Sequence, residues 1–440
     1  MRKILLIVVL ISHVAAFCFG QTEKQEMLWK DIPPWFQDAK FGVFVHFGEN
    51  GHFRYFTDKE KVSGREHNPE AYTKGAKLYT LNSEHVAQWV NYFEKWGARY
   101  AVLTTNHRPG FSLWDTNVNE RNIVDMSPSK LDVVKVWTDE LRKADIKVGY
   151  YYSHYDWGDA DFIKAKNPTS EATEKQKDKA WERYLKKRDK QVEELVTNYG
   201  KIDLIWWDED WCAKDYLELG SDKMLDIVFK HQPDIVINNR ARHPWRWHYS
   251  TPEKFVPLKA MKTPWETCDN LTQGSGWGYL LPDGYDNYKT AQDILFTFLD
   301  VISQGGNYLL NIGPNPNGTI SEEELKIMNY VGGFVNRYSE AIFGTREGVS
   351  RSKYGGPSTR KGNVLYLFAV ERPIGELTVK GINGELSKVT SLKSGEELSY
   401  RYTGGRPGSG HPGWIRIKVP RSEDQYPEVY KLEFNSGIEH

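Results

Sequence analysis

From residue 41 to about residue 345, short apolar runs alternate with longer stretches whose apolar residues recur at helical spacing. That alternation restricts the chain to a parallel sheet with crossover helices. Phe41 to Gly48 reads as a buried strand, and Val86, Trp89, Val90 and Phe93 as the stripe of a helix stopped by Gly97. Tyr100 to Thr105 is the next strand. Ser129 with Asp132 resembles a capping box before the stripe Leu131, Val134 and Leu141. Strand 147–153 follows, then a polar insertion over 158–180 and a helix carrying Tyr184, Leu185, Val192, Leu195 and Tyr199. Strand 202–208, helix 223–230, strand 234–239, a long irregular segment, helix 291–303, strand 308–312 and a last helix capped by Ser321 and Glu324 complete the series. Roughly six strands over about 300 residues favour a closed (β/α)8-like barrel of the TIM type over an open sheet. No glycine-rich phosphate fingerprint follows any of them.

After residue 346 the period changes to two. Val364, Tyr366 and Phe368, then Ile415, Ile417 and Val419, then Tyr430, Leu432 and Phe434 alternate with polar neighbours, separated by Gly, Pro and Ser clusters. This predicts a small C-terminal antiparallel β-sandwich over 346–440, behind the barrel over 21–345. Residues 1–20 stand apart: Arg2-Lys3, the apolar run Ile4 to Ile11 and a small-residue exit at Gly20 have the layout of a secretory signal. Export to the periplasm or the extracellular space is expected. Lipid anchoring at Cys18 is the alternative, opposed by Phe17 where lipoprotein processing wants a small residue.

With 58 basic and 59 acidic side chains the chain lacks the positive field that a phosphate backbone requires, so nucleic acid is excluded as an expected partner. No later stretch approaches the roughly 20 apolar residues of a membrane span. Cys212 and Cys268, the two cysteines outside the signal, are too few for a disulfide scaffold. Aromatic residues make up 14% of the chain, and rings of this kind offer flat apolar faces to the C–H faces of sugars.

Catalytic groups of such barrels stand at the C-terminal ends of strands. Four predicted ends carry unusual residues: Val45-His46-Phe47-Gly48, Thr104-Thr105-Asn106-His107-Arg108, Ile205-Trp206-Trp207-Asp208 and Ile237-Asn238-Asn239-Arg240. Trp206 and Asp208 share parity, so a ring and a carboxylate point to one side of their strand. That arrangement suits a sugar held on an apolar plate with an anion at its anomeric carbon. Asp208, Glu209 and Asp210 also fit a solvated acidic loop, and His46 and His107 fit structural, backbone-bonded histidines. The convergence of two histidines, an arginine and an aspartate on four strand ends favours a site. No metal-ligand spacing of the His-x-x-x-His kind occurs.

Ordered motifs along nearly the whole mature chain resemble the α-L-fucosidases of glycoside hydrolase family 29. They include 35–42, His46-Phe47-Gly48, 103–115, Tyr151-Tyr152-Ser153-His154, Trp207-Asp208, Trp265-Glu266-Thr267-Cys268, Trp277-Gly278-Tyr279, 305–314 and 340–344. The resemblance implies a catalytic barrel followed by a β-sandwich, hydrolysis with retention, no metal or organic cofactor, and a fucosylated oligosaccharide or glycoconjugate as substrate. It implies Asp208 as nucleophile, His46 and His107 as donors to sugar hydroxyls, and Arg240 beside the nucleophile. Trp206 and Trp277 become the apolar walls for the fucose methyl, with Tyr152 a further substrate-binding residue. Retention needs a second carboxyl roughly 5 to 5.5 Å from the first. Glu253 is the favoured acid/base, with Glu266 the runner-up and Glu66 third.

Two motifs depart from the family. This chain reads His107-Arg108-Pro109-Gly110-Phe111 where a His-His-Asp-Gly-Phe run is common, and Glu66-His67-Asn68 where Glu-Trp-Tyr is frequent. Arg108 thereby enters the substrate-binding set: its planar fork of donors suits two adjacent sugar hydroxyls or a group beyond the sugar, unless it turns outward to Glu209 or Asp210. The departures leave open a shifted sugar preference, such as α-L-galactose, or a glycan-binding protein that has lost catalysis.

Overall fold

Among the described residues, seven parallel strands form the central sheet: β1 (Phe41–Val45), β2 (Tyr100–Asn106), β3 (Lys147–Ser153), β4 (Leu204–Asp208), β5 (Val236–Ile237), β6 (Glu266–Asn270) and β7 (Asn307–Ile312). Their order is β5-β4-β3-β2-β1-β7-β6. The structure is a computed structural model that describes residues 27–48, 74–274, 276–279, 287–435 and 438. The signal-like segment and Glu66 lie outside the described residues.

β6 is the strand that sequence reasoning placed in an irregular segment. Its residues, Glu-Thr-Cys-Asp-Asn, carry no apolar run: Cys268 packs among the rings inside the barrel, and the other four are buried through polar partners of their side chains. Between β5 and β6 the sheet is continued by segment 249–253, through single parallel bridges Asn238↔Tyr249, Ser250↔Trp265 and Glu253↔Cys268. This irregular stretch takes the eighth place of the TIM-like barrel and leaves Glu253 near the C-terminal rim.

The helices pack outside. In α1 (Ser83–Trp96), Val86, Trp89, Val90, Phe93 and Trp96 are buried, each contributing about 1.5–3 kcal/mol by leaving water. Asn82 caps its start and Gly97, in the left-handed region at φ 77, ends it. For α2 (Val133–Lys143) the cap is Asp132, which accepts from the Lys135 backbone N–H. Ser129, expected to share that role, instead donates its hydroxyl to the Leu81 carbonyl. The last barrel helix, α3 (Glu322–Arg337), starts on Ser321, whose hydroxyl accepts the Glu324 N–H as anticipated.

Alternate residues of the strands fill two compartments. Phe44, Tyr100, Val102, Tyr151, Leu204, Trp206 and Leu309 pack inside the barrel. Val43, Val45, Ala101, Leu103, Tyr150, Tyr152, Ile205 and Trp207 pack between strands and helices. Gly42 on β1 is required by this filling: a Cβ there would meet the Tyr100 ring at 2.4 Å.

The C-terminal region forms an antiparallel five-stranded sheet that begins at Arg346–Glu347, and a three-stranded sheet of Gly375–Lys380, Trp414–Val419 and Tyr400–Thr403. It has its own core around Leu365, Leu367, Val389 and Ile417. Phe368 and Tyr426 press on Phe334 of α3. Cys212 and Cys268 are both buried free thiols.

Candidate active site

Asp208 ends β4 and is 9% exposed. Two donors hold its carboxylate: the Tyr151 hydroxyl reaches Oδ2 at 2.9 Å, and Arg240 Nη1 reaches Oδ1 at 2.6 Å. Tyr151 lies opposite Trp206 and Ser153 opposite Asp208 in the β3–β4 register, so the side chains of Tyr151, Trp206 and Asp208 share the inner face. The Tyr151 hydroxyl also meets His107 Nε2 at 3.0 Å. The Arg108 backbone N–H donates to His107 Nδ1 at 2.8 Å, which leaves the ring proton of neutral His107 on Nε2. A directed chain results: His107 donates to Tyr151, and Tyr151 donates to Asp208. Burial holds the His107 pKa well below its ordinary value, so the ring is neutral.

The Trp206 ring stacks on Tyr151 with centroids 5.6 Å apart, and the Arg240 guanidinium lies 4.6 Å from its centre. Phe44 is 5.4 Å from Trp206 and 6.2 Å from Trp277, and His46 stacks on Trp277 at 5.1 Å. These rings form an apolar wall at the barrel mouth. Phe44 escaped sequence reasoning although its parity with His46 marks it as inward. The Asn311 amide donates to the Trp277 carbonyl, which turns its oxygen toward His46 Nδ1 at 2.6 Å. His46 therefore carries its proton on Nδ1 and offers Nε2 as an acceptor, where a donor had been expected. Burial lowers its pKa to about 4.

The carboxyl groups divide by environment. Glu253 is half-exposed, and its Oε2 accepts from Arg240 Nη2 at 3.2 Å. One guanidinium thus bridges Asp208 and Glu253. Glu266 is fully buried; it accepts from the Tyr100 hydroxyl at 2.5 Å and from Trp206 Nε1 at 2.9 Å. Burial raises its pKa to about 7. His107, Asp208 and Glu209 offer ligand atoms within 4.8 Å of one another. Both carboxylates of that group already face guanidinium groups, Asp208 that of Arg240 and Glu209 that of Arg108, so arginine charge occupies the role a cation would take.

Two further sequence expectations change. Tyr152 points outward, where its hydroxyl donates to Gln191 Oε1 at 2.7 Å on a surrounding helix, because it is one residue out of phase with Tyr151. Tyr151 takes its place at the site. Arg108 binds Glu209 through Nε, the outward alternative weighed for it, and its side chain is 38% exposed.

Comparison with known proteins gives the family and the fold. The family model described as Alpha-L-fucosidase matches residues 12–340. The chain belongs to the alpha-L-fucosidase family. Alpha-L-fucosidase from Dictyostelium discoideum is 26% identical over an alignment covering 97% of each chain. Among solved structures, alpha-L-fucosidase isoenzyme 1 from Paenibacillus thiaminolyticus superposes with a TM-score of 0.78 at 27% identity, over 91% of this chain and 98% of that one. A trapped covalent intermediate of a family 29 alpha-L-fucosidase from Bacteroides thetaiotaomicron, in complex with 2-fluoro-fucosyl fluoride, has a TM-score of 0.76 at 22% identity and covers 92% and 96% of the two chains; it shows the shared fold. The inner-face ring wall and the doubly held Asp208 lie together at the mouth of this chain's barrel. Among the described residues no helix is long and apolar enough to cross a membrane.

Proposed function

We propose that this fucosidase-family protein is a retaining exo-glycosidase that removes terminal α-L-fucosyl groups from oligosaccharides or glycoconjugates, with Asp208 as nucleophile and Glu253 as acid and then base. The observation that carries the reading is the Arg240 bridge, 2.6 Å to Asp208 and 3.2 Å to Glu253. It sets two carboxyl groups on either side of one guanidinium at the barrel mouth, and a double displacement uses two carboxyl groups near the same glycosidic bond. Glu253 gives its proton to the glycosidic oxygen while Asp208 attacks the anomeric carbon, the C–O bond breaks and a glycosyl ester forms. Water then attacks, losing its proton to Glu253 and restoring Asp208. The trapped intermediate of the Bacteroides thetaiotaomicron relative supports such a covalent step. Half-exposure suits Glu253 for exchanging protons with substrate and water. Glu266, sealed beneath Trp206 with both oxygens occupied, holds the plate on which the sugar lies.

His46 Nε2 accepts a hydroxyl hydrogen of the sugar, and Phe44, Trp206 and Trp277 receive the fucose methyl. The basic and apolar opening segment supports export of the chain. The decisive test is hydrolysis of an aryl α-L-fucoside, with the anomer first released followed by NMR. The α anomer is expected; the β anomer as first product refutes retention. Asp208→Gly should lose on the order of 10³-fold or more in turnover, and azide should restore product as the β-fucosyl azide. Activity within about tenfold of the parent removes Asp208 from the nucleophile's role.

A further inference from the structure

The barrel and the C-terminal region carry opposite charge. Residues 346–440 hold 15 Lys and Arg against 11 Asp and Glu, whereas 21–345 hold 41 against 48. Within the sandwich, Tyr366 and Phe368 of the five-stranded sheet pack with the barrel core, and Leu365 and Leu367 turn the other way, into the sandwich core. Leu377, Val379, Ile415 and Ile417 of the three-stranded sheet close that core from the far side. By the period of two, the residues between them face out, away from the barrel.

Trp414 stands on this outer face, apart from the sandwich core and 43% exposed. Cations surround it. Lys380 pairs with it across the strands and holds Nζ 5.2 Å from the ring centre, and the Arg416 guanidinium, two residues along the same strand, is also 5.2 Å away. The negative face of an indole attracts such groups, so the ring keeps both cations beside it. Thr403 and Thr378 lay Arg416 across the sheet, their hydroxyls accepting from Nε at 3.3 Å and from Nη1 at 3.5 Å. Arg401 lies directly opposite Arg416 and pairs with Glu376 at 2.9 Å; Glu376 also meets Arg416 at 3.7 Å. One carboxylate thus answers two guanidinium groups. Lys380 and Lys418 have no carboxylate partner among the described residues. Like charges set opposite each other on a sheet are destabilising, and a bound anion relieves that repulsion.

We propose that this outer face binds a sulfated polysaccharide, with the exposed part of Trp414 carrying the C–H face of a pyranose and with Lys380 and Arg416 taking a sulfate ester. The ring selects a sugar over a bare polyanion, and the cations select a charged sugar over a neutral one. A sulfate ester stands on an oxygen arm beyond the edge of its pyranose, where it reaches cations placed beside the ring that carries the sugar. The planar donor fork of Arg416 matches the oxygens of such a group. Because the face looks away from the barrel, a polymer bound there tethers the enzyme and raises its concentration along the chain without covering Asp208. The inference does not depend on which carboxyl groups catalyse.

The test measures binding of dextran sulfate, unsulfated dextran, hyaluronan and duplex DNA to the full chain at about 0.15 M salt. Dextran sulfate is expected to bind about tenfold more tightly than each of the other three. Trp414→Ala, and Lys380→Gln combined with Arg416→Gln, should each weaken dextran sulfate about tenfold while melting within about 2 °C of the parent. Removing the two cations should also flatten the dependence of binding on salt. A parent that does not bind dextran sulfate overturns the proposal. Comparable binding of dextran removes the anion, comparable binding of hyaluronan removes the sulfate, and comparable binding of DNA leaves only general adhesion to polyanions; each overturns it. Binding within twofold of the parent in both variants overturns it as well, by placing the dextran sulfate elsewhere on the molecule. Should Trp414→Ala melt early, the cation pair, on solvated side chains, decides alone.

Discussion

Adjacent residues of β3 and β4 build two clusters of the same composition on opposite faces of the sheet. Inside, Tyr151 stacks on Trp206 and contacts His107; outside, Tyr152 meets Trp207 at 6.1 Å and His154 stacks on Trp207 at 5.5 Å. Both are almost completely buried. The inner tyrosine donates to a carboxylate that also binds an arginine, whereas the outer one donates to a neutral glutamine. Burial lowers the pKa of His154 to about 3, which keeps the outer histidine uncharged. The contrast teaches that aromatic and histidine content does not make the site. Convergence on ionised groups at the barrel mouth does.

Four measurements sharpen or break that comparison. The largest effect belongs to Glu253→Ala, which should cut turnover of substrates with poor leaving groups by about 10²–10⁴, with far smaller losses on nitrophenyl fucosides. If Glu266→Ala shows that selective pattern instead, the acid is the buried carboxyl.

Glu266 provides the second. Its folded pKa of about 7 lies above the ordinary carboxyl value of 4.5, so between these pH values the folded chain binds more protons than the unfolded one. Its contribution to stability is full below pH 4.5 and is lost as pH rises through 7. Glu266→Gln escapes that loss. The stability of the variant relative to the parent should rise by about 3 kcal/mol between pH 4.5 and pH 8, read from denaturant melts. A flat difference means that Glu266 is ionised throughout.

Third, Tyr151→Phe removes a bond to an ionised carboxylate, an interaction of about 1.5–3 kcal/mol, and should lower kcat/KM about 10- to 100-fold with little change in melting. The smallest effect is that of Tyr152→Phe. It should cost about 1 kcal/mol of stability through the lost Gln191 bond and leave kcat/KM within about twofold. Reversed results for the two tyrosines would mean that the functional face of β3 has been assigned backwards.

The sequence alone determined the architecture, since alternation of apolar runs with helical stripes, then a switch to period two, has few physical solutions. It also located Asp208, Arg240, His46 and His107, because strand ends in a parallel barrel are where functional side chains gather. Parity placed Trp206 with Asp208, and Ser321 announced its helix. Tertiary structure decided the rest. Strands buried on both faces show no polar alternation, so a Tyr-Tyr pair gives no sign of which ring turns inward. β6 stayed hidden because its polar residues are paid for by partners distant in sequence, Tyr100 and Trp206 for Glu266, Lys289 and Tyr308 for Asp269. Hydrogen-bond direction at His46 depended on Asn311, and the pairing of Arg108 with Glu209 on two loops that meet only in the folded chain. A one-residue phase and a partner 265 residues away are set by packing, and no local pattern encodes them.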